Sequence, residues 1–153
     1  MIFNLYIYDR SGTCLFYHEW NRQKQVDVSR EEDFKLMYGM TFSLKSFCNR
    51  ISPTDPNIGF TSFKTSQYKL HFYETPSGLK FIMTTDLQIQ GDIRFLMHTL
   101  YKDVFVEYAI RDPECELNKP IKSKLFSEKL NEFIQKQPQF GNIAQTALSS
   151  IVK

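Results

Sequence analysis

The stretch "IFNLYIY" (Ile2–Tyr8) constrains the fold more than any other part of the chain. Successive side chains of a strand point to opposite faces. Here Phe3, Leu5 and Ile7 alternate against Ile2, Tyr6 and Tyr8, so both faces are apolar. That pattern predicts a strand buried on both sides, within a sheet covered by helices above and below. "DRSG" (Asp9–Gly12) then reads as a turn, with Asp at its first position and Gly at its last, and "TCLFYHEW" (Thr13–Trp20) as the antiparallel partner.

A polar loop leads to Ser29 with Glu32 three residues on, the spacing of a capping box. The helix behind it aligns Phe34, Met37, Tyr38, Leu44, Phe47, Cys48 and Ile51 on one inward stripe. Gly39 lies inside this helix at a cost of up to ~1 kcal/mol relative to Ala, which suggests a close neighbour there. "SPTDPN" (Ser52–Asn57) stops the helix. Strands are expected at about 59–65, 68–75 and 79–85, the last two joined by Thr75-Pro76-Ser77-Gly78 in a type I turn with a bulge. Ile93, Leu96, Met97, Leu100, Tyr101, Val104, Phe105 and Tyr108 then repeat with a helical period. A third helix is expected at roughly 121–136, with Leu125, Leu130, Phe133 and Ile134 inward.

The element order is ββ–α–βββ–α–α. Strands grouped in hairpins argue for an α+β fold, a five-stranded antiparallel sheet with one helix on one face and two on the other. One domain is expected over residues 1–136, with a weakly patterned tail at 137–153. A length of 153 residues is enough for one self-sufficient core.

Charge narrows the function classes. With 19 basic against 17 acidic residues, the net charge of +2 lacks the basic excess of a nucleic-acid binder. "NRQK" (Asn21–Lys24) and "KPIKSK" (Lys119–Lys124) are the nearest approaches to basic clusters, and each reads as a solvated face. No apolar run approaches the ~18 residues of a membrane span, and "MIFNLYIYDR" lacks the pattern of a signal peptide. The three scattered cysteines, Cys14, Cys48 and Cys115, agree with a reducing compartment, so a cytosolic location is expected.

The residue types of catalytic sites are present but not in catalytic spacing. The histidines His18, His71 and His98 lack metal-ligand spacing. Asp112, Glu114 and Glu116 around Cys115 would raise its thiol pKa, against the needs of a nucleophile. There is no nucleophile elbow, phosphate loop or dinucleotide fingerprint. Glu74 and Asp86 flank the last hairpin at opposite ends, where a solvated edge and a helix cap are the expected roles. Asp92 is placed to cap the helix that follows. Neither catalysis nor a cofactor or metal is expected. The 14 Phe and 8 Tyr suit a sheet and protein–protein contacts.

Three stretches carry a resemblance: "NLYIYDRSGTCLFYHEW" (Asn4–Trp20), "DFKLMYGMTFSLKSFCNRISP" (Asp33–Pro53) and "YKLHFYETPSGLKFIMTTD" (Tyr68–Asp86). Together they closely resemble the subunit 1 family of the TRAPP complex (transport protein particle), small longin-type chains, over roughly residues 2–136. The "KLMYGM" helix and the "YETPSG" hairpin are its most specific parts. The resemblance implies a longin-like, SNARE-like fold and a non-catalytic core subunit. Its implied partners are the longin-type subunit 4 and the α/β-fold subunit 3, with a Rab GTPase met through the assembled complex. The implied work is vesicle tethering and guanine-nucleotide exchange between endoplasmic reticulum and Golgi, with peripheral membrane association through the complex. Exchange of this kind favours the nucleotide-poor GTPase by differential binding.

The candidate partner interface is the outer side of the first helix: Lys35, Leu36, Met40, Phe42 and Ser43, with neighbouring Tyr38. Leu36, Met40 and Phe42 fall off the predicted core stripe, and large apolar residues left outside mark an interface or a wider buried arc. The alternatives are a clathrin-adaptor-type small longin subunit and a PAS- or profilin-like ligand sensor. A longin SNARE would carry a heptad segment and anchor after the domain, for which 153 residues leave no room.

Overall fold

The computed structural model describes residues 1–21, 27–54, 60–116 and 118–137. The expected tail at 137–153 beyond its first residue, part of the loop after Asn21 and the start of the third strand lie outside them. Within them, β1 (Ile2–Tyr8), β2 (Cys14–Glu19), β3 (Ser62–Lys64), β4 (Lys69–Glu74) and β5 (Lys80–Thr85) form one antiparallel sheet, in the order β2-β1-β5-β4-β3. The doubly apolar first strand thus lies inside the sheet, between β2 and β5.

Both hairpins turn in the same way. Gly12 Nα–H donates to the Asp9 carbonyl (3.3 Å) and Gly78 Nα–H to the Thr75 carbonyl (2.9 Å), and the glycines take φ of +94° and +91°. Asp9 accepts further from the Thr13 amide at 2.9 Å, and Thr75 Oγ1 from the Leu79 amide at 3.1 Å. The short polar side chains close each turn where the glycine permits the left-handed backbone.

Helix α1 (Arg30–Ile51) covers one face. Ser29 caps it, accepting from the Glu32 amide at 3.3 Å, and three acids in its first turn suit the positive end of the dipole. It ends where Pro53 forces Ser52 into extended backbone, ψ 126°. Two tyrosines of β1 hold it down: Tyr6 Oη donates to Asp33 Oδ2 (3.0 Å) and Tyr8 Oη to the Phe34 carbonyl (2.7 Å). Burial keeps the Tyr8 phenol protonated by pushing its pKa far up, as a permanent donor requires.

The other face carries α2 (Ile93–Leu100) and α3 (Lys124–Gln135). Asp92 caps α2, accepting from the Phe95 amide at 3.0 Å, and Ser123 caps α3, accepting from the Phe126 amide at 3.3 Å. The helix expected to continue through Tyr108 changes winding instead. From Tyr101 to Ile110 it takes the wider π form and closes with an Arg111 amide bond to the Val106 carbonyl, five residues back. Ala109 is therefore buried, and Ile110 is turned outward.

Two expectations about side-chain direction and one about a close neighbour are corrected. Ile2 belongs with Leu5 and Ile7 under α2, not with Tyr6 and Tyr8. A bulge between Ile2 and Asn4 sets two β1 steps against one of β5 and reverses the alternation there. Leu125 is exposed, because α3 starts at Lys124 and turns Phe126, Leu130 and Ile134 inward. Gly39 meets nothing: a Cβ built there has open space around it. Gly12 is the crowded glycine, with the Tyr38 ring 2.7 Å from where its Cβ would be.

Candidate functional site

The polar groups of the last hairpin disperse in three dimensions. His71 is buried beneath α2, its Nε2 2.9 Å from Thr85 Oγ1. Burial, and then the charge of Lys69, lowers its pKa to about 4, so the ring is neutral at ordinary pH. Glu74 points to the opposite face and pairs with Lys45 of α1 at 2.5 Å. It is therefore an ion-paired clasp on α1 and no mere solvated edge. Asp86 is not the helix cap expected of it; it pairs with the Met1 ammonium at 2.9 Å, and Asp92 does the capping.

The other reactive types are also engaged locally. His98 Nδ1 is 2.7 Å from Tyr73 Oη, and His18 packs between the rings of Phe16 and Trp20. Burial pushes the Cys14 thiol up to about 12. Burial and then the neighbouring Asp112 carboxylate, which accepts from the thiol at 3.6 Å, raise Cys115. Among the described residues no group of three or more His, Cys, Asp or Glu is placed to hold a metal ion, and no helix is long and apolar enough to cross a membrane.

What stands open is α1. Of its 22 residues only Thr41 is fully buried. Leu36 and Phe42 are 64% and 61% exposed, and Lys35 and Ser43 are exposed beside them. Tyr38 and Met40 instead pack, half-buried, on the cluster of Tyr6, Tyr8, Leu70, Phe72 and Ile82. Met40 thus corrects its assignment off the core stripe: it lies at the border where the helix meets the sheet. Phe47 and Ile51, expected inside, are 59% and 62% exposed. At about 100° per residue, Leu36, Met40, Phe47 and Ile51 fall within roughly a 60° arc, turned about 100° round the helix from the arc of Phe34, Met37 and Thr41. The signal was in the sequence as a second apolar arc. Choosing between the two arcs needed the sheet.

Large apolar side chains left together on one helix face make it a candidate docking surface. Phe42 stands apart from the outer arc, on the flank of α1 that looks toward the hairpin turns. With Tyr38, Lys45 and Asn49 it borders an open groove of about 430 Å³ between α1 and the ends of β4 and β5.

Known proteins give the chain a context. A model of the Sybindin-like family matches residues 2–137. Trafficking protein particle complex subunit 1 of Rattus norvegicus is 47% identical over 140 residues, 92% of this chain and 96% of the relative. The protein of the same name from Dictyostelium discoideum is 40% identical over 144 residues, 93% of this chain and all of the relative. Trafficking protein particle complex subunit 4 of Pongo abelii is 32% identical over 111 residues, 70% of this chain and 50% of that protein.

Proposed function

Since the chain belongs to the Sybindin-like family, we propose that it is a non-catalytic core subunit of a trafficking protein particle complex. The observation that carries this reading is the match to complex subunit 1 along 92% of this chain and 96% of the relative. The open apolar arc of α1 supports it, because Leu36, Phe47 and Ile51 together are costly to leave in water. The partners are the subunit 3 and longin-type subunit 4 classes.

In the assembled complex this chain contributes to a composite surface that accelerates nucleotide release from a Rab GTPase in endoplasmic reticulum-to-Golgi transport. It works in the cytoplasm, peripherally at the membranes of both organelles. The physical requirement is a rigid surface that binds the nucleotide-free GTPase more tightly than the loaded one. A face clamped by Tyr6, Tyr8 and the Lys45–Glu74 pair is suited to that.

Affinity purification of the tagged chain from its own cytosol tests membership. Recovery of trafficking protein particle subunits is expected, and recovery of clathrin-adaptor large chains instead overturns the reading. Leu36→Asp and Phe47→Asp are expected to reduce that recovery at least tenfold while circular dichroism stays unchanged. Met40 is unsuitable for this purpose because it also packs on the sheet. For exchange, release of a fluorescent guanine nucleotide from a panel of Rab GTPases is compared with complexes reconstituted with and without this chain. Equal rates for every GTPase exclude the exchange role.

A further inference from the structure

The groove beside α1 has a chemistry that complex membership alone does not explain. Three cations border it, Arg10, Lys45 and Lys80, against one carboxylate, Glu74, which is already engaged by Lys45. Among the described residues neither Arg10 nor Lys80 has a carboxylate partner; Lys80 Nζ donates only to the Gly78 carbonyl, at 3.2 Å. The groove is thus positive with two cations unneutralised. Its apolar wall is Tyr38, Phe42 and Phe72, and the Tyr38 and Phe42 rings lie 6.3 Å apart at 27°.

The site is rigidly built. Tyr38 rests against the Gly12 turn, and the aliphatic part of Arg10 lies 3.0 Å from the position of a Cβ on Gly78. Lys80 sits directly across from Glu74 in the β4–β5 register, with its ammonium 5.8 Å from the centre of the Tyr38 ring. Both hairpin turns and α1 therefore fix the same cluster of side chains.

We propose that this groove receives an acidic segment of a partner protein, in which a large apolar side chain is flanked by carboxylates. Such a segment meets both demands at once. Its carboxylates neutralise Arg10 and Lys80, and its ring or branched chain fills the space beside Tyr38, Phe42 and Phe72. A phosphorylated lipid headgroup leaves the aromatic wall unused. A nucleotide fits poorly, because the groove lies along the side of a helix and a strand pair whose backbone amides are spent on each other, with no amide cradle for phosphate. Phe42 is 61% exposed at the rim, where an incoming chain would cover it.

The proposal is independent of complex membership, and the purified full chain alone tests it. Fluorescence anisotropy with a fluorescein-labelled Glu-Glu-Phe-Glu-Glu peptide is expected to show saturable binding that weakens with added salt. Arg10→Glu, Lys80→Gln and Phe42→Ala are each expected to weaken it about tenfold, in variants whose melting curves confirm folding. Replacing the peptide's Phe by Ser is expected to weaken it equally. The proposal is overturned by no saturable binding, or by unchanged affinity in Arg10→Glu and Lys80→Gln. It is overturned equally if the Phe and Ser peptides bind alike, or if guanosine triphosphate or phosphoinositide vesicles displace the peptide and bind more tightly in a Phe42-independent manner.

Discussion

The two faces of the sheet are built differently. Under α2 and α3, buried side chains from four elements interlock: Phe16 and Phe105 meet Phe126 edge-on at 4.8 and 6.1 Å, and Phe105 meets Phe81 at 5.6 Å. Under α1, five buried residues of the sheet meet a helix of which half the residues stay exposed, held by tyrosine hydroxyls and an ion pair. The first face is a finished hydrophobic core. The second keeps its helix in place by polar contacts and leaves apolar surface outside. One side of the sheet is closed by a packed core, and on the other the helix keeps an open apolar arc.

The largest expected contrast comes from deleting a ring on each side. Phe126→Ala removes a fully buried ring from the finished core and should cost about 3–5 kcal/mol, whereas Phe47→Ala should stay within about 0.5 kcal/mol. Urea unfolding of both variants measures the difference. Equal losses would mean that the outer arc of α1 is structural after all.

Acid offers a second test of the same core. His71 is neutral when folded, with a pKa lowered to about 4 by burial, while in the unfolded chain it titrates near 6.5. The unfolded state therefore binds the proton first. The contribution of His71 is fully present above about pH 6.5, and is lost as pH falls through that value toward 4, by up to about 3 kcal/mol. Urea unfolding from pH 7.5 to 4.5 should show this decline, and His71→Gln should flatten it. A decline unchanged in the variant would place the acid sensitivity elsewhere.

Two glycines give the smallest and sharpest contrast. Gly12→Ala forces a Cβ onto the Tyr38 ring at positive φ and should cost about 1–2 kcal/mol. Gly39→Ala faces open space in a helix interior and should stabilise by about 0.5–1 kcal/mol. If Gly39→Ala stabilises the isolated chain yet weakens complex recovery, a partner approaches the helix backbone there. Thermal melts and the affinity purification read the two effects separately.

The element order, the turns and their glycines, the caps Ser29 and Asp92 and the two-sided apolar strand were all legible from spacing alone. Each depends on residues close in sequence, where backbone sterics and local hydrogen bonds act. The directions of Ile2, Phe47, Ile51 and Leu125 were not legible, nor was the widening of the helix after Leu100. A bulge that reverses alternation is decided by pairing with a strand some 80 residues away, Ile2 with Thr85 and Asn4 with Thr84. Likewise α1 has two apolar arcs, and only its tyrosine anchors and the Lys45–Glu74 pair settle which one faces the sheet.

The groove shows the same division. Arg10, Asn49 and Lys80 are far apart in the chain and carry no motif, and it took the meeting of two hairpin turns with one helix to assemble them. The sequence determined which segments become strands and helices, because local chemistry is sufficient for that. The tertiary structure alone decided which apolar surface is core and which stays exposed, because burial is a property of what each face meets.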